Sequence, residues 1–75
     1  MKTDDSKKAD FVRLATKRLN KAIKTLRLIG NLANKNNYKY DEKAVDRIFS
    51  ALEKETRISK MKFSVMFRRD EEIKL

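Results

Sequence analysis

Advanced at 100° per residue, the first half of the chain gathers Phe11, Val12, Ala15, Leu19, Ala22, Ile23, Leu26, Ile29 and Ala33 into an arc of roughly 120°. That spacing predicts an amphipathic helix over residues 6–33 with one face turned to a core. Asp5 and Ser6 are both good N-caps, so the start is placed there and residues 1–5 are expected to fray. The end falls between Gly30 and Asn34. Gly30 either terminates the helix or, lying in the apolar arc, lets a second backbone approach closely. The next seven residues, Asn34-Lys35-Asn36-Asn37-Tyr38-Lys39-Tyr40, are polar and rich in asparagine, which tolerates left-handed backbone and favours turns, so 34–40 reads as the one loop.

A second helix is predicted over 41–67. Asp41 is placed to cap it and Glu42 to favour its positive end. Val45, Ile48, Phe49, Leu52, Thr56, Ser59, Phe63, Met66 and Phe67 share an arc of roughly 100°. A competing strand reading rests on the alternation of Met61, Phe63, Val65 and Phe67 with Lys62, Ser64, Met66 and Arg68; it is set aside because no second strand is available to pair. Ile58, Met61 and Val65 form another apolar line on the far side of this helix. Two helices of similar length joined by a short loop predict an all-α fold: an antiparallel two-helix hairpin, dimerising into a four-helix bundle because a lone hairpin leaves faces uncovered. The alternative is that residues 58–75 fold back as a third, short C-terminal helix.

Composition narrows the chemistry. Seventy-five residues make at most one small domain, which buries little of its own surface, so self-association or a partner is expected. His and Cys are absent and Gly30 is the one glycine, which excludes thiol or imidazole catalysis, a zinc finger and a phosphate-cradling glycine loop. No enzyme activity, cofactor or metal is expected. Apolar positions are too scattered for a membrane span, and Met1 to Lys8 contain no apolar h-region of a secretory signal; the expectation is a soluble, cytoplasmic protein.

Charge carries the functional reading. The net charge is +9, and it is uneven: residues 1–40 hold eleven basic and three acidic groups, residues 41–75 nine and eight. On the first helix Arg13, Lys17, Lys21, Lys24 and Arg27 fall within about 120° of one another, opposite the apolar arc. This stripe spans about 21 Å of helix axis, enough to meet several phosphates at once. Only Asp10 opposes it within the helix. Pairs such as Arg13 with Lys17 and Lys17 with Lys21 each cost a few tenths of a kcal/mol, whereas the second helix offsets its charges locally, as with Glu53 four residues before Arg57. The contrast favours a polyanionic partner, DNA or RNA. The plainer reading is a solvated Lys-rich face, or one paired with acids of helix two in an oligomer.

Tyr38 and Tyr40 flank Lys39 and offer aromatic faces to unpaired bases, although tyrosines beside a loop more often staple helix ends. Asp70, Glu71 and Glu72 form a charged tail, 68–75, rather than a metal site. A basic amphipathic helix also suits an anionic membrane surface, but Ala15, Ala22 and Ala33 suit close helix packing better. Ile58, Met61 and Val65 support a second function class, a non-catalytic protein-interaction module or oligomeric adaptor.

The run Arg18-Leu19-Asn20-Lys21-Ala22-Ile23-Lys24-Thr25-Leu26-Arg27-Leu28-Ile29-Gly30-Asn31-Leu32-Ala33-Asn34, with Asn37-Tyr38 and Val45-Asp46-Arg47-Ile48-Phe49-Ser50-Ala51-Leu52 after it, resembles a group of short, basic, uncharacterised bacterial and plasmid-encoded helical proteins. The resemblance covers about residues 9–60. It implies a bacterial or mobile-element setting and a compact helical hairpin, and it carries no activity.

Overall fold

A computed structural model describes residues 2–70, the last by its backbone alone. The described residues are all-helical, without strands: α1 spans Asp4–Gly30, a 3-10 turn follows at Asn31–Ala33, and α2 spans Glu42–Asp70. The helices fall into separate units, Met1–Lys39 and Tyr40–Leu75. None of the helices is long and apolar enough to cross a membrane.

The N-terminal end of α1 differs from expectation. The cap is Thr3, not Asp5 or Ser6: its hydroxyl accepts the Ser6 N–H at 3.1 Å and its carbonyl accepts the Lys7 N–H at 2.9 Å. Asp4 and Asp5 therefore belong to the first turn, where carboxylates favour the positive end of the helix dipole. At the other end the helix tightens rather than stopping abruptly. Gly30 is right-handed, with φ −59° and ψ −32°, and Asn31 donates its N–H to the Arg27 carbonyl. Gly30 thus serves neither as a left-handed cap nor, within its unit, as a point of close approach, because a Cβ built there meets nothing within 4 Å.

The loop turns on Asn34. Its side-chain oxygen accepts the Asn36 N–H at 3.0 Å, and its carbonyl accepts the N–H groups of Asn37 at 3.1 Å and Tyr38 at 3.0 Å. An Asx turn of this kind needs no left-handed residue, and no described residue has one.

In the second unit Asp41 caps α2 as expected, its carboxylate accepting the Ala44 N–H at 2.8 Å. Glu42 lies in the first turn and Arg68 and Arg69 in the last, so both ends suit the dipole. The helix continues three residues past the predicted 67. Residues 58–70 extend α2 without a break, which overturns the separate C-terminal helix and the strand reading over 61–68. Thr56 and Ser64 return their hydroxyls to the Leu52 and Lys60 carbonyls at 2.9 and 3.1 Å, which satisfies both side chains within the helix without interrupting it. Residues 71–75 of the expected tail lie outside the described residues.

Each helix carries an apolar seam with alternating spacings of three and four. On α1 it is Val12, Ala15, Leu19, Ala22, Leu26 and Ile29; on α2 it is Val45, Phe49, Leu52, Thr56, Ser59, Phe63 and Met66. No described side chain is buried, and Phe67 is 64% exposed. Helices of this composition draw most of their stability from packing an apolar face, so each seam requires a partner.

Gly30→Ala should raise the stability of the folded chain by about 1 kcal/mol, since alanine lowers the backbone entropy lost and its methyl enters open space. A urea titration followed by circular dichroism measures this; a drop in stability would place a neighbouring backbone against Gly30.

Candidate nucleic-acid interface

All five cations of the predicted stripe lie on α1 and are exposed: Arg13, Lys17, Lys21, Lys24 and Arg27. The helix is unbroken through them, so the arc drawn at 100° per residue is the one the backbone presents. The centre of the stripe faces away from the seam of Val12, Ala15, Leu19, Ala22 and Leu26.

Asp10 tempers one end of it. Its carboxylate meets Lys2 Nζ at 2.6 Å and Arg13 Nη2 at 3.4 Å. Lys2 and then Arg13 hold the Asp10 carboxyl below its usual value of 3.8 by donating to its ionised form, and slight desolvation opposes them. Arg13 is thereby partly neutralised. Among the described residues Lys17, Lys21, Lys24 and Arg27 have no ion pair, and they form the unopposed stretch. Thr25 donates its hydroxyl to the Lys21 carbonyl at 2.9 Å, an intrahelical bond that spends its one donor within the helix.

A division into one apolar arc and one basic arc leaves out Leu14, Leu28 and Leu32. Leu28 is 59% exposed and sits inside the basic arc, with Leu14 and Leu32 at its edge. The signal was present in the helical wheel as three leucines outside the main apolar arc.

Tyr38 belongs to the unit that carries the stripe, is half exposed, and donates its N–H to Asn34. Tyr40 belongs to the other unit. Ile58, Met61 and Val65 line one side of α2 and are exposed. Of the acidic tail, Glu71 and Glu72 lie outside the described residues. No protein-family model, no curated protein and no solved structure matches this chain.

The Asp10 carboxyl should titrate below 3.8 by carboxyl-carbon NMR, and Lys2→Ala should raise it more than Arg13→Ala. Because the folded value is depressed, the stabilisation is complete at neutral pH and is lost only as pH falls through that lowered value. Added salt should move the value back up, since the partners are exposed.

Proposed function

We propose that the chain is a small, non-catalytic nucleic-acid-binding accessory protein whose α1 contacts phosphates through Arg13, Lys17, Lys21, Lys24 and Arg27. The observation that carries this reading is that one continuous helix holds these five cations exposed on one face with a single carboxylate, Asp10, against them. Self-repulsion along such a face is a standing cost, and a polyanion reverses it by releasing its own counterions as the cations replace them. Contacts of this type position a protein without reading sequence, so selectivity is modest. Tyr38 and Tyr40 add stacking surfaces for unpaired bases. The resemblance to short bacterial and plasmid-encoded proteins suits a mobile-element setting inside the cell.

The fold that supports this reading is an antiparallel hairpin in which the two seams cover each other. Run in opposite directions with Ala22 level with Thr56, they set small against large where Ala15 faces Phe63 and Leu19 faces Ser59, and bulky against bulky where Leu26 faces Leu52 and Ile29 faces Phe49. Thr56 suits the middle layer because its hydroxyl is already bonded to Leu52 and its methyl is free to pack. This register leaves the centre of the basic stripe on the outside.

A second reading, a protein-interaction module or adaptor, is favoured by the exposure of Ile58, Met61 and Val65 on α2, of which Met61 is 63% exposed.

Titration against duplex DNA, single-stranded DNA and structured RNA at several salt concentrations separates the two. Five phosphate contacts per chain predict a slope of log affinity on log salt of about −4.5 for a duplex and about −3.5 for a single strand. Replacing Lys17, Lys24 and Arg27 together by alanine should reduce the duplex slope to about −2 and leave helicity intact. Equal loss on changing Lys54 and Lys60 would show mere bulk charge. No affinity for any probe at low salt would discard the nucleic-acid reading and favour the adaptor.

A further inference from the structure

Lys2 precedes the N-cap of α1 and belongs to no arc of the helical wheel, yet it reaches into the basic stripe. Thr3 fixes where it starts: with its hydroxyl accepting the Ser6 N–H and its carbonyl the Lys7 N–H, the backbone just before the helix is held at two points. From there Lys2 Nζ meets Asp10 Oδ2 at 2.6 Å, while Arg13 Nη2 meets Oδ1, the other oxygen, at 3.4 Å. Asp10 stands one turn before Arg13, about 60° round the helix from it and inside the arc of the five cations. The one carboxylate in the stripe is therefore shared by two cations, one from outside the helix and one from the stripe itself.

We propose that Lys2 is a positioning residue for the phosphate site: it occupies Asp10 and so frees Arg13 to pass from the carboxylate to a phosphate. The proposal deepens the nucleic-acid reading above and rests on it. Three observations support it, all within the unit that carries α1. First, the two contacts are unequal. The Lys2 contact is the shorter, and Lys2 does more than Arg13 to hold the carboxyl in its ionised form. Second, the two cations take different oxygens of the carboxylate, so Arg13 can leave without displacing Lys2. Third, Arg13 meets Asp10 through one nitrogen, whereas a guanidinium carries five N–H donors, and its side chain is 66% exposed. A phosphate arriving from solvent therefore finds donors of Arg13 already turned to it and a weak bond to replace.

Without Lys2 the same carboxylate acts against binding in two ways. It repels an incoming phosphate, and it keeps Arg13 as its one remaining cation. Both effects pass through Asp10 and both vanish when that residue is neutral. Lys2 therefore matters to binding only while Asp10 carries its charge, which separates this role from that of a cation touching phosphate on its own account. All three side chains are in contact with solvent, so the effect has the size of a surface ion pair and is largest at low salt.

The test is a double-mutant cycle on the full chain, read by anisotropy titration of a short labelled DNA duplex at low salt. Lys2→Ala should bind about three- to tenfold more weakly than the unaltered chain, and its slope of log affinity on log salt should fall from about −4.5 to about −3.6 as one phosphate contact is lost. Lys2→Arg, which keeps the charge, should bind as the unaltered chain does. With Asp10→Asn in place, adding Lys2→Ala should change affinity by less than about twofold. Equal loss in both backgrounds would make Lys2 an independent phosphate contact or mere bulk charge and overturns the proposal, as does no loss in either, or Lys2→Arg as weak as Lys2→Ala. In the chain free of nucleic acid, an Asp10 carboxyl titration that Lys2→Ala leaves unmoved also overturns it, with the phosphate reading left standing. No affinity of the unaltered chain for the duplex overturns that reading and this proposal with it.

Discussion

The controlling constraint in this chain is that a helix has one circumference. A continuous apolar seam along α1, from Val12 through Leu19 and Leu26 to Ile29, has to be covered, since nothing within its own unit covers it and a solitary helix of this kind is marginal in water. Once that side is committed to packing, Arg13, Lys17, Lys24 and Arg27 are committed to the outside. The placement of charge follows from the placement of grease, and the function proposed for α1 is a consequence of its packing requirement.

The two helices were legible because period 3.6 is a strong signal over nearly thirty residues. The N-cap role of Asp41 and the loop at Asn34 followed from side-chain chemistry that acts locally, and both appear with the hydrogen bonds that chemistry requires. The ends were less legible. Thr3 competes with Asp5 and Ser6 for the same cap, and the choice turns on which start lets Asp4 and Asp5 join the first turn and Lys2 reach Asp10. At the far end of α2 a cluster of charges resembles a tail in sequence, yet Arg68 and Arg69 favour the negative helix end and extend it.

The candidate site was legible as a set of positions and less so as a balance of charge. Arg13 stands with the other four cations on the wheel, but its guanidinium shares Asp10 with Lys2, a residue outside the helix whose reach no periodicity reports. Leu14, Leu28 and Leu32 were visible yet fell between categories, since a two-way division into apolar and basic arcs has no place for a leucine among lysines. They leave α1 with exposed apolar side chains outside its seam, as Ile58 and Val65 do on α2, so each helix is apolar on more than one side.

The central claim is that the cations of α1, as a group and facing one way, meet a polyanion. Lysine-reactivity footprinting of the nucleic-acid complex, read residue by residue by mass spectrometry, tests it most directly. The account predicts that Lys17 and Lys24 lose reactivity on binding while Lys43 and Lys54 of α2 keep theirs. Uniform protection of all four, or protection confined to α2, would contradict it.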